Sequence, residues 1–219
     1  MDRFVYLYSD IYTTQHEYVS KCLTLANIEH QSIKIDDISK PQEKNHTFNN
    51  GVTIKIDKII ETVQHNMGHD IVFSDVTIGF NPGKIAYIQD YFNSYREYDL
   101  CWQNNRPDKP NWYYNIGVQK IKCNDKMLDF YKQIQQRLVE TSHWDQDICN
   151  QVFKTQKNNI NFRVFDDRLV ANGEHVFQTD KEARDRLYIW KQLCVHNGKT
   201  PQQIVELRLD QLERFNFLI

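Results

Sequence analysis

Short runs rich in β-branched and aromatic residues alternate along the chain with longer stretches in which apolar side chains recur at three- and four-residue steps. That alternation predicts an α/β fold. The strand segments are Phe4 to Tyr8, Ser32 to Ile35, Ile71 to Phe73, Leu100 to Gln103, Gly117 to Ile121 and Asn161 to Phe165. Helices are predicted over 13–27, 53–66, 84–94, 125–140, 145–154 and 200–214. In 125–140, Met127, Leu128, Tyr131, Ile134 and Leu138 fall on one helical face, which predicts its burial. The stretch from Asn104 to Trp112, with Pro107 and Pro110, reads as a loop. No repeat or long linker interrupts the pattern, so residues 1–219 are read as one domain. In open α/β sheets ligands bind beyond the C-terminal ends of the strands, which places the expected site in the loops that follow them.

Composition narrows the partners. With 40% hydrophobic residues the 219-residue chain can bury a substantial core. Its 27 basic and 29 acidic side chains leave a formal net charge of −2, without the clustered excess of Lys and Arg that a nucleic-acid binder needs. A small-molecule or glycan partner is the better expectation. Five scattered cysteines (Cys22, Cys101, Cys123, Cys149, Cys194) form no CxxC pair, so they read as buried thiols of a reducing, cytoplasmic compartment. The first ten residues lack the pattern of a signal peptide. No run approaches the roughly 18 apolar residues of a membrane span, and the sequon at Asn45 is therefore expected to stay unmodified.

Several familiar chemistries are not supported. The seven glycines make no GxGxxG. Gly79-Phe80-Asn81-Pro82-Gly83-Lys84-Ile85 has one residue too few between its glycines for a P-loop, and lacks the Ser or Thr that would hold Mg²⁺. His65 and His69 could share a helix face, but Gly68 is expected to end that helix, and no carboxylate follows at metalloprotease spacing. A Gly-x-Ser-x-Gly elbow is absent.

What remains is a set of short polar segments at predicted strand and helix ends. Asp70-Ile-Val-Phe-Ser-Asp75-Val-Thr77 is an apolar strand that finishes in a carboxylate, the oxygen ligand that hard cations take together with substrate phosphate. Taken alone, it reads as a strand-end Asp that caps a turn. Asn115-Ile-Gly117-Val118 opens a strand. Trp144-Asp145-Gln146-Asp147-Ile148-Cys149-Asn150 puts acids and amides at a helix start, where Asp145 or Asp147 can equally be a cap. Val195-His196-Asn197-Gly198-Lys199 carries an imidazole and an ammonium around a glycine.

In this order, the segments resemble the nucleotide-sugar-dependent glycosyltransferases of the GT-A fold. The likeness is to the small retaining enzymes of the glycogenin and lipopolysaccharide galactosyltransferase kind and to the broad nucleotide-diphospho-sugar transferase group, which includes virus-encoded members. It runs from Arg3–Asp10 through Lys58, Phe73–Phe80, Asn115–Val118, Trp144–Asn150 and Asn161–Gly173 to His196–Lys199. The resemblance implies a Rossmann-like GT-A domain with a mixed, mainly parallel sheet flanked by helices.

It also implies a metal-dependent transfer, with retention, from a nucleoside-diphosphate donor, expected to be a UDP-sugar, to a glycan or glycoprotein acceptor. By resemblance Asp75 and His196 hold Mn²⁺ or Mg²⁺. Tyr8, Ser9, Asp10 and Tyr12 hold the base and ribose, and Lys199 meets the diphosphate. Asn115 and Gly117 line the sugar pocket. Asp145 and Gln146 approach the anomeric centre. Lys55 or Lys58 reaches the donor sugar or phosphate, a solvated helix face being the alternative for either. The family's Asp-x-Asp reads Asp75-Val76-Thr77 here, and a neutral hydroxyl in place of a carboxylate lowers the expected cation affinity. That substitution motivates a second reading, a non-catalytic sugar-nucleotide or glycan-binding domain of the same fold. The modest length is also compatible with one module of a larger enzyme.

Overall fold

The computed structural model describes residues 1–35, 46–105, 113–141, 143–166, 170–172, 187, 189–191 and 199–214. Asn45, Pro107, Pro110, Trp112, Gly173, Cys194 and the His196 to Gly198 segment lie outside the described residues.

Among the described residues six strands form the main sheet: β1 (Arg3–Tyr8), β2 (His30–Lys34), β3 (Asp70–Asp75), β5 (Leu100–Asn104), β6 (Tyr114–Lys122) and β7 (Phe162–Val164). Their order is β2-β1-β3-β6-β5-β7. β1 runs parallel to β2 and β3, and β5 parallel to β7, while β6 is antiparallel to both neighbours. The sheet is thus mixed and mainly parallel. Reversal of β6 matters for the site, because it brings the start of that strand to the edge at which β1, β3 and β5 end.

Alternation along the strands feeds two cores. Phe4, Tyr6 and Val72 join Tyr18, Val19, Leu23 and Phe92 on one face, from the helices α1 (Thr13–Leu25) and α3 (Ile88–Asn93). Val5, Leu7, Ile71 and Phe73 face the other way, against α2 (His46–His65), α4 (Asp125–Thr141) and α5 (Asp145–Gln156). With both faces covered, β1 and β3 are apolar at successive positions, as buried parallel strands are. The buried face of α4 is Met127, Phe130, Tyr131, Ile134 and Leu138. Phe130 takes the place expected of Leu128, which is only partly buried.

Local departures have local causes. The helix expected over 84–94 is divided into a 3-10 turn, Pro82–Tyr87, followed by α3. Pro82 starts the turn, and the Asn81 side chain accepts from the Gly83 N–H at 3.0 Å. The glycine pair that mimics a phosphate loop therefore spends this amide on its own chain. A second sheet of three short strands, β4 (Ile78–Phe80), β8 (Val170–Asn172) and β9 (Ile189–Lys191), was not expected from the pattern. Three residues are too few for a period, and each strand exists through pairing with a distant partner.

Gly68, at φ +85°, follows the end of α2, and its N–H donates to the Cys123 carbonyl at 2.8 Å. His65 and His69 are exposed, and His65 Nδ1 lies 2.7 Å from the Glu61 carbonyl. Cys22, Cys101, Cys123 and Cys149 are buried free thiols, and burial pushes Cys22, Cys101 and Cys123 up to about 12. None of the described helices is long and apolar enough to cross a membrane.

Candidate active site

The strand registers set the site. Leu7 of β1 pairs with Asp75 of β3, and Ser74 pairs with Val118 of β6. On the far side Asn104, the last residue of β5, pairs with Tyr114, the first of β6. The ends of three strands and the beginning of a fourth consequently share one sheet edge, where their polar residues collect.

β6 is irregular there. Trp102 pairs with Gln119 but the next residue, Gln103, pairs with Asn115, so Ile116, Gly117 and Val118 bulge from the β5 ladder. Asn115 stabilises the bulge by accepting the Gly117 N–H at 2.8 Å, and its amide donates to Asn105 at 3.3 Å. The Ile116 carbonyl, inside the bulge, accepts from the Lys55 ammonium at 3.4 Å.

Lys55 reaches this point from α2. Its Nζ lies 2.9 Å from Asp75 Oδ1 and 3.5 Å from Asp145 Oδ2, with side chains 12%, 29% and 15% exposed in that order. Burial alone would favour loss of the proton. The carboxylates of Asp75 and Asp145 outweigh it and raise the Lys55 pKa above its ordinary value, so the ammonium stays charged.

α5 presents its first turn to the same cation. Trp144 occupies the cap position and makes no side-chain cap bond, so neither Asp145 nor Asp147 is the cap. Asp145 Oδ1 accepts the Gln146 N–H at 2.8 Å, and its other oxygen faces Lys55. Asp147 accepts from the Tyr113 hydroxyl. Burial, followed by this bond to Asp147, raises the Tyr113 pKa. Asn150 locks the helix onto β6: its side chain accepts from Tyr114 N at 2.8 Å and donates to Tyr114 O at 2.9 Å and Gln146 O at 2.7 Å.

At the end of β1, Tyr8 stacks on His16 with ring centroids 4.0 Å apart and planes 7° apart. Ser9 is buried and its carbonyl accepts the Tyr12 N–H at 2.9 Å, forming the 3-10 turn Asp10–Tyr12. Asp10 is exposed and pairs with Lys34 at 2.7 Å.

The fold therefore gathers Asp75, Asn115, Gly117, Asp145 and Gln146 at one edge, with Tyr8, Ser9, Asp10 and Tyr12 beyond the neighbouring strand. Thr77 is buried just before β4. Of the two α2 lysines, Lys55 is the one in the cluster. Lys58 is instead paired with Glu61, at 2.7 and 3.0 Å, along the helix surface. Lys199 is exposed shortly before α6 (Pro201–Arg214). His196 lies outside the described residues. Tyr113 and the buried Arg208 of α6 were not anticipated. Neither carries a local signal, since each gains its place from a contact distant in sequence.

Among the described residues no three His, Cys, Asp or Glu side chains gather as a ready-made metal site. Asp75 nevertheless suits a hard cation that draws most of its oxygens from phosphate and water.

The sequence profile of the nucleotide-diphospho-sugar transferases matches residues 23–199. No curated protein matches the sequence. Solved structures similar in fold include a glycosyltransferase involved in glycosylation of the major capsid of PBCV-1, at TM-score 0.62 and 11% identity, over 94% of this chain and 98% of that one. The galactosyltransferase LgtC, solved with donor and acceptor sugar analogues, aligns at TM-score 0.57 and 14% identity over 95% of each chain. The glycosyltransferase GlyE of Streptococcus pneumoniae TIGR4 aligns at TM-score 0.59 and 15% identity, over 95% of this chain and 59% of GlyE. At these identities the likeness establishes the GT-A fold, and the profile, spanning most of the chain, establishes the family. The chain, whose carboxylate-bearing strand end and helix start are joined by a largely buried ammonium, thus belongs to the nucleotide-diphospho-sugar transferase family.

Proposed function

We propose that the chain transfers a sugar from a nucleoside-diphosphate donor, a UDP-sugar, to a glycan or protein-linked acceptor with retention at the anomeric carbon, assisted by a divalent cation. The observation that carries this reading is the Lys55 ammonium held between Asp75 and Asp145. It ties the strand end that carries Asp75 to the helix start that carries Asp145, and the three charges sum to −1, an arrangement suited to a cation that meets the negative charge of a departing diphosphate. In this reading Asp75, with His196 and Thr77 by resemblance, holds Mn²⁺ or Mg²⁺, which when bound neutralises the leaving group.

The remaining roles belong to the chain's own groups. Asp145 and Gln146 support the anomeric centre from the face opposite the diphosphate. Because Asn150 pins the helix to β6, these two side chains are positioned before the donor arrives. Asn115 and Gly117 line the sugar pocket. Tyr8, Ser9, Asp10 and Tyr12 hold the base and ribose, and Lys199 adds a contact to the diphosphate.

Incubation with a panel of UDP- and GDP-sugars and Mn²⁺ tests the proposal. Donor hydrolysis or transfer that EDTA suppresses is expected; absence of binding and turnover for every donor refutes it. The replacement of a family carboxylate by Thr77 favours one alternative, a non-catalytic sugar-nucleotide or glycan-binding domain. That alternative predicts nucleotide binding with no turnover.

A further inference from the structure

α6 lies beyond the residues that the family profile matches. Its buried residues Ile204, Val205, Arg208, Gln211 and Leu212 recur at helical spacing, so one face packs inward. Leu212 joins the core that contains Phe4 and Tyr6 of β1. Gln15 of α1 donates to the Val205 carbonyl at 3.5 Å. This face sets Arg208 against the 3-10 turn that follows β1.

Arg208 is only 5% exposed. A guanidinium keeps its charge at any accessible pH, and burying it is unfavourable unless its N–H groups are hydrogen-bonded. Arg208 Nη1 donates to the hydroxyl oxygen of Tyr12, and the guanidinium carbon lies 5.3 Å from the centroid of the same ring. At its other end Tyr12 is fixed by the backbone bond to Ser9. Tyr12 is thus held at its backbone and at its hydroxyl, which restrains the ring between them.

We propose that Arg208 is a positioning residue for the donor nucleotide: through Tyr12 it makes α6 a working wall of the nucleotide pocket. The proposal rests on the reading of Tyr12 as a nucleotide contact. A ring already restrained loses less freedom when a base or ribose packs on it, so affinity rises without a new contact to the ligand. Arg208 then acts on nucleotide binding and leaves the chemical step unchanged.

The test is calorimetric titration of the full chain with UDP, and with GDP as a second probe. Tyr12→Ala, Tyr12→Phe, Arg208→Met, Arg208→Lys and the double variant Tyr12→Phe/Arg208→Met are compared, with donor KM and kcat measured alongside. Tyr12→Ala is expected to weaken UDP by more than about tenfold. Tyr12→Phe and Arg208→Met should each weaken it by about threefold to tenfold, the double variant no further than either single one, and kcat at saturating donor should hold. Arg208→Lys should recover part of the loss.

Wild-type UDP affinity in Tyr12→Phe, or additive losses in the double variant, overturns the proposal while the nucleotide reading of Tyr12 stands. Wild-type affinity in Tyr12→Ala refutes that reading, and the proposal with it. If Arg208→Met fails to fold in a thermal melt, Tyr12→Phe and Arg208→Lys decide the matter, since both keep the packing of α6.

Discussion

The ammonium of Lys55 lies 2.9 Å from the carboxylate of Asp75, and this contact couples a helix of one layer to the end of a central strand. Asp145 approaches the same ammonium at 3.5 Å. Two carboxylates that would otherwise repel are held together by a cation that is itself nearly buried.

Removal of Lys55 should therefore be costly. Lys55→Met leaves two partly buried carboxylates without their counter-charge, a loss of about 3 kcal/mol, or a fall in Tm of about 6 to 12 °C for a chain of this size. Adding Asp75→Asn should recover part of it. Because the folded-state pKa of Lys55 is raised, its stabilisation is complete below the unfolded value of 10.5 and is lost only as pH climbs through the higher folded value. Melting curves should show the difference between wild type and Lys55→Met to be flat from pH 6 to 9.

Asp75 and Asp145 touch the same cation but should fail differently. Asp75→Ala is expected to abolish cation-dependent donor binding. Asp145→Ala should leave the donor Kd within about threefold while lowering kcat by at least about a hundredfold. Equal loss of binding and turnover in Asp145→Ala would remove the role assigned to it.

Thr77 gives a gain-of-function test. Thr77→Asp places a carboxylate at a buried position. Without metal the variant should melt below wild type, because a buried carboxylate lacks compensation. Mn²⁺ should raise its Tm more than it raises that of wild type, since a ligand that binds only the folded state stabilises it. A Tm response to Mn²⁺ identical to wild type would place Thr77 away from the cation.

His16 should make the end of β1 sensitive to acid. It stacks under Tyr8, and the Tyr6 hydroxyl lies 2.9 Å from its Nδ1. Burial lowers its pKa, with Glu17 opposing and His30 reinforcing the shift. As pH falls below the unfolded value of 6.5 the unfolded chain takes up a proton more readily than the folded one, so stability declines. His16→Phe keeps a ring beneath Tyr8 and removes the titration. Its Tm should fall less between pH 7 and 5 than that of wild type; parallel curves would show that His16 is not the responsible group.

Much of the fold could be read from the chain because its information is local. β1 and β3 are apolar at successive positions since both faces of the sheet are covered, and α4 shows a clear helical stripe. Asp75 and Asp145 were recognisable because each stands at a boundary, where an apolar strand stops and a helix begins. Fine boundaries were less accessible: α2 begins earlier than expected, at His46, and Pro82 divides the helix expected over 84–94. The strands β4, β8 and β9 escaped because their three residues are held by pairing across the chain.

The sequence by itself determined the alternation of strands and helices, the carboxylate at the end of β3 and the polar start of α5. Tertiary structure alone decided which lysine serves them. Lys55 and Lys58 are one turn apart on α2 and chemically identical, and although Glu61 stands three residues after Lys58, spacing alone does not say which lysine faces the sheet. Docking of the helix turns Lys55 to the bulge of β6 and leaves Lys58 with Glu61. Arg208 and Tyr12 tell the same story over 196 positions, since a contact between distant residues follows from packing and leaves no trace in the spacing of either segment.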